Sequence, residues 1–130
     1  MATFTLRVRL GTGVDISDPN ANPPDAPGAT FLFVDRLLED THGNLRGTLT
    51  FRGVITKKLA ADDLEVAFDA TNKLHKGVIN TQGVIRFRDM DSANGVTFAI
   101  VGGTRRYKKA RGTVTAKIVN SVPHFRFKVR

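Results

Sequence analysis

The sequence predicts an all-β fold, a closed eight-stranded antiparallel barrel, and three observations carry that prediction. Eight separate segments read as strands, and apolar and polar residues alternate with period two through most of them. The links between them are mostly short and rich in Gly, Asn, Asp and Pro. No segment carries an apolar stripe of helical period over three turns. Eight such strands suit closure, because a closed sheet has no free edge to pair with other chains. A chain of 130 residues is expected to fold as one domain, 1–130.

The first strand, 3–10, places Phe4, Leu6, Val8 and Leu10 on one face and Thr5, Arg7 and Arg9 on the other. Residues 11–29 follow as a loop of Asp, Asn and Pro, long enough to form a lid or a packed arm. Its Pro23, Pro24 and Pro27 cannot donate to a sheet ladder. The second strand, 30–39, is apolar on both faces. Phe31, Phe33, Asp35 and Leu37 share one side, and Leu32, Val34, Arg36 and Leu38 the other. Its outer face is expected to be covered, either by another subunit of a homo-oligomer (dimer or trimer) or by the Pro-rich loop. Residues 41–44 turn the chain into the third strand, 45–57, and strands at 64–71, 77–88, 96–101, 113–119 and 125–130 complete the set.

Alternation also assigns the lumen. Leu49, Phe51 and Ile55 share a face with Gly47 and Gly53, opposed by Arg46, Thr48, Thr50 and Arg52. Ile79, Thr81, Gly83, Ile85 and Phe87 share another, opposed by Asn80, Gln82, Arg86 and Arg88. Phe98 and the pair Phe125 and Phe127 follow the same pattern, so the interior is rich in phenylalanine and can be filled or hold one small ligand. The stretches GTLTFRGVI (47–55) and GVINTQGVI (77–85) echo each other. Glycine on the inner face either bends the wall for closure or hollows the interior for a ligand. With the phenylalanines inside, Asp35 becomes a carboxylate in an apolar lumen. Such a group shifts its pKa, recruits a cation or serves chemistry.

Composition excludes several classes. The chain has no cysteine, hence no disulfide scaffold, thiol nucleophile or cysteine-ligated metal. With 41% hydrophobic and 25% charged residues it reads as a globule, and no run approaches a membrane span or a secretory leader. We therefore expect a cytoplasmic protein without membrane partners. His42, His75 and His124 lack zinc spacing, the segment 89–95 departs from a calcium loop, and no metal or cofactor is expected. The formal charge of +8 raises the question of nucleic acid, but the arginines alternate away from the phenylalanines. Stacking platforms need both on one face, so nucleic acid is not the expected partner.

Two stretches carry a resemblance. FAIVGGTRRYKKARGTVT (98–115) resembles the signature hairpin of the allene oxide cyclase/dirigent barrel superfamily, with its glycine-glycine-threonine turn and following alanine-arginine-glycine. GATFLFVDRLLEDTHG (28–43) is similar to that family's early hairpin. The resemblance implies a barrel that binds a hydrophobic natural-product intermediate, polyketide or fatty-acid-like, and steers its cyclisation without cofactor. It places Asp35 at a lumenal asparagine of the plant cyclases. Gly53, Ile85, Val8 and Leu10 stand where those enzymes carry polar groups, and Arg105 replaces a turn glycine. These departures point from allene oxide cyclase activity itself toward a pericyclic or shape-templated cyclisation in the bacterial manner.

The expected function is thus a cyclase or isomerase with Asp35 as the catalytic acid or base. Phe31, Phe33, Phe51, Thr81, Ile85 and Phe98 are expected to bind substrate, with Tyr107 and Arg111 donating hydrogen bonds near the mouth. Tyr107 reads equally as a barrel plug and Arg111 as an ion pair pinning its turn. A carrier barrel that binds without reaction is the alternative. Arg105, Arg106, Lys108, Lys109 and Arg111 crowd one hairpin, a plain solvated surface or a dock for an acidic carrier protein.

Overall fold

Period-two alternation produces one antiparallel sheet that closes on itself. The computed structural model describes residues 2–130 and contains β1 (Ala2–Val8), β2 (Val14–Ser17), β3 (Thr30–Glu39), β4 (Leu45–Ala60) and β5 (Asp63–Leu74). β6 (Gly77–Arg86), β7 (Val96–Gly103), β8 (Gly112–Val119) and β9 (Val122–Val129) complete it. The sheet runs β1-β9-β8-β7-β6-β5-β4-β3-β2, and a β1–β3 pairing closes the ring. Eight strands form the barrel and β2 lies outside it. No helix among the described residues is long and apolar enough to cross a membrane.

The walls differ in regularity. β5 and β6 pair from Glu65↔Arg86 to Leu74↔Gly77 without interruption. That register aims Val66, Phe68, Ala70 and Asn72 inward. β1 meets β3 at only two pairs, Arg7↔Glu39 and Val8↔Leu38. Outside this seam, Glu39 accepts from Arg7 Nε at 2.8 Å and Arg9 Nε at 2.7 Å. The hydrogen bond from Arg9, reinforced by Arg7, holds the Glu39 carboxyl below its ordinary range.

The expected 11–29 loop is corrected at its start. Val14–Ser17 alternates, and it pairs with Phe31–Val34 as Val14↔Val34 through Ser17↔Phe31. It continues the direction of β1 along the same edge of β3, past a break at residues 9–13. Val14 and Ile16 are exposed beside half-buried Leu32 and Val34, so β2 widens the outer apolar surface of β3 and covers it only in part. The loop's far end is tied to β4 by Gly28 N–H to Ile55 O and by Lys58 to Asp25 at 2.9 Å. Several strands are longer than alternation suggested: β4 runs on to Ala60, β5 to Leu74 and β7 to Gly103, and β9 begins at Val122. β6 stops at Arg86, where Phe87–Asp91 tightens into a 3₁₀ turn.

One end of the barrel is plugged. Leu38, Ile79, Ala110 and Val129 are buried there, with Tyr107 of the 3₁₀ turn Arg105–Tyr107 packed against them. At the opposite end the chain leaves β1 at Leu10, turns at Asn120 and Ser121 between β8 and β9, and carries Phe87–Asp91.

Candidate functional site

The site begins with a break in β3. Phe33 pairs with Phe51, but the next paired residue is Arg36, opposite Leu49. Phe51 and Leu49 are two apart and both face inward, whereas the same interval on β3 spans one residue more. Val34 and Asp35 therefore bulge, and Arg36 joins Phe33 on the inner face. Asp35 takes a φ of 56°, a left-handed conformation that Asp tolerates better than most residues. Its N–H donates to Thr50 Oγ1 at 3.3 Å, and the residue is exposed. Gly13 crosses so closely that a Cβ there would meet the Val34 carbonyl oxygen. Thr12 Oγ1 accepts from Leu37 N–H at 2.9 Å and fixes that crossing.

The lumen holds a cavity of about 400 Å³. Its wall includes seven phenylalanines (Phe33, Phe51, Phe68, Phe87, Phe98, Phe125 and Phe127), together with Val8, Leu49, Ile85 and Val114. It opens at the end where Leu10, Met90, Asp91, Ile118 and Pro123 stand. Four rings form a continuous belt: Phe33 to Phe51 at 5.6 Å, Phe51 to Phe68 at 4.7 Å, and Phe68 edge-on to Phe98 at 4.9 Å between centroids. The inward glycines accommodate this belt. A Cβ on Gly53 would strike the Phe31 ring, and one on Gly83 would crowd Phe98. The space they vacate is filled by aromatic rings, which corrects the reading that these glycines hollow the interior for a ligand.

Polar groups on the wall are few: Arg36, Asn72, Thr81 and Asp91. Asn72 and Thr81 are buried, and Asn72 Nδ2 donates to Ile79 O at 3.0 Å. The Arg36 guanidinium carbon lies 4.4 Å from the Phe33 ring centroid. Nη2 of Arg36 donates to Asp15 Oδ1 at 2.6 Å, while its buried Nε–H has no partner. The rim is braced by Asp63, itself buried, which receives a forked pair of hydrogen bonds from Arg86. That fork holds the Asp63 carboxyl below its usual range and ties the β4–β5 turn to the strand end that launches Phe87–Asp91. No group of three His, Cys, Asp or Glu side chains among the described residues could hold a metal.

The structure brings together Phe33, Phe51, Thr81, Ile85 and Phe98 on the cavity wall. Phe31 stands behind it, 5.2 Å from Phe33 and 5.8 Å from Phe51. Asp35 lies outside, a correction imposed by the bulge, which reverses the facing of every β3 residue after Val34. Tyr107 and Arg111 also lie away from the mouth. Tyr107 packs at the plugged end, and Arg111 is exposed, its Nη1 donating to Ala110 O at 2.7 Å. Alternation missed Arg36 and Asn72. An Asp in mid-strand was the available sign of the bulge. Asn72 continues the inward set Phe68, Ala70 past the point where polarity suggested the strand ended.

A closed eight-stranded antiparallel barrel with an apolar cavity open at one end has room to enclose one small molecule. The solved structures it resembles share the barrel. Pyocyanin demethylase aligns with a TM-score of 0.75 at 20% identity over 99% of this chain and 100% of that one. AbnU, an exo-specific intermolecular Diels–Alderase, aligns with a TM-score of 0.65 at 19% identity over 98% of this chain and 91% of that one. The Diels–Alderase AbmU from Streptomyces koyangensis gives 0.66 at 20% identity, with 99% of this chain covering 64% of that one. No family model and no curated protein matches the sequence.

Proposed function

We propose that this protein is a cyclase or isomerase of natural-product biosynthesis, of the allene oxide cyclase/dirigent-like kind. It folds a hydrophobic polyketide or fatty-acid-like intermediate inside the barrel and needs no cofactor. The observation that carries this reading is the apolar, phenylalanine-walled cavity of about 400 Å³ open at one end. The Diels–Alderases among its structural neighbours support it. With Asp35 outside, the acid–base route loses its residue, and a shape-templated pericyclic closure remains. Holding a flexible chain in a near-attack fold can lower a barrier by ~7–11 kcal/mol without any titrating group.

Two further parts belong to the proposal. The partly exposed apolar face of β2 and β3 is the surface on which copies would associate into a dimer or trimer. The basic hairpin at residues 105–111 is where an acidic carrier protein would dock, at the plugged end and thus away from the mouth through which the substrate enters. Because the phenylalanines line the lumen while most arginines face solvent, a nucleic-acid role is not supported.

The test is incubation with linear polyenes bearing a conjugated diene and an electron-poor alkene, read by chiral chromatography and mass spectrometry. One configuration of a cyclic isomer of unchanged mass is expected, formed at least ~10³-fold faster than in buffer. Ala116→Phe, which fills the lumen, should abolish it. Reversible binding with cyclisation only at the buffer rate would instead make the protein a carrier.

A further inference from the structure

The bulge in β3 does more than displace Asp35. It installs the one cationic side chain on a mostly apolar wall, whose other polar groups are Asn72, Thr81 and, at the mouth, Asp91. The Arg36 side chain is only 21% exposed, whereas its partner Asp15 is 62% exposed on a strand outside the ring. A guanidinium offers five donors in a planar fork. Here Nη2 serves Asp15, and Nε–H is buried with no acceptor. The plane of the group is presented over Phe33, a ring that continues into the belt of Phe51 and Phe68. Buried donors are ordinarily satisfied, so an orphan on a side chain of the cavity wall suits an acceptor brought by a guest. The Asp15 contact is exposed and hence easily exchanged.

Resting on the reading of the lumen as a small-molecule site, we propose that Arg36 determines specificity. It selects apolar guests that carry an anionic oxygen, a carboxylate or the enolate of a 1,3-dicarbonyl, and pairs with that oxygen while the guest's flat body lies along the phenylalanine belt. Arginine suits this role because its fork matches the two oxygens of such a group and its face stacks on an aromatic ring. Its contact with the guest is one of binding and orientation, and it requires no proton transfer.

Two fluorescent probes with one skeleton separate this proposal from the lumen reading. 1-Anilinonaphthalene-8-sulfonate carries an anionic group, and N-phenyl-1-naphthylamine lacks it. The wild-type protein is expected to bind both at one site, each displacing the other. Arg36→Met, similar in length and apolar, should weaken the anionic probe by about tenfold or more and move the neutral one less than about threefold. Asp15→Asn, which removes the competing carboxylate and leaves Arg36 in place, should tighten the anionic probe alone. An unchanged ratio of the two affinities in Arg36→Met overturns the proposal and leaves the lumen reading standing. If Arg36→Met does not fold, by circular dichroism, failure of Asp15→Asn to shift the ratio overturns it equally. Failure of the wild type to bind either probe overturns both readings.

Discussion

β5 with β6, and β3 with its neighbours, are built from similar residues and behave differently. β5 and β6 hold register from end to end, and every second residue faces the lumen as simple alternation requires. β3 keeps register with β4 for four residues, loses it between Phe33 and Arg36, and shifts again before Glu39. On its other edge it changes partner from β2 to β1. The regular pair supplies wall; the broken strand supplies the wall's one cation. A bulge thus converts a sequence position that alternation assigns to solvent into one that faces the cavity.

The comparison is broken most severely by removing a ring from the regular half. Phe68→Ala leaves the belt without the residue that joins Phe51 to Phe98, and is expected to cost ~3–5 kcal/mol in urea unfolding. Glu39→Gln acts at the seam where the broken strand meets β1. The folded chain keeps Glu39 ionised below the usual carboxylate range because Arg9 and Arg7 bond to it. Its contribution is therefore complete above the unfolded pKa of about 4.5 and fades as pH falls through and below that value. Urea midpoints of wild type and Glu39→Gln should differ most near neutral pH and converge on acidification. A constant gap would show that the clamp works through packing alone. Asp35→Asn should do least, since Asn also tolerates a left-handed backbone and the side chain lies outside. Its stability and its turnover should stay close to wild type, whereas a catalytic Asp35 would lose at least ~10² in rate.

Most of the barrel was legible because its strands obey one local rule, and a face assigned at Leu49 holds through Phe51, Gly53 and Ile55. The rule failed where tertiary context intervened. Val14–Ser17 is too short and too close to Pro and Asp to stand out, and it becomes a strand only because the edge of β3 is free to receive it. Phe87 continues the alternation of Ile85 in sequence, yet the backbone has already turned into a 3₁₀ segment. Arg36 follows from Asp35 only if a left-handed residue is recognised in the middle of an apolar run. The lumen's aromatic wall could thus be read from spacing, and its polar anchor could not.

The two-pair seam between β1 and β3 also bears on how large a guest the barrel admits. Elsewhere the ring is laced by longer ladders, from four pairs between β6 and β7 to twelve between β4 and β5. Swelling the circumference would strain every ladder, but the least backbone bonding would have to yield at this seam, which the Glu39 ion pairs with Arg7 and Arg9 help to hold. A guest too wide for the bore would thus part the barrel here before it parted the laced wall.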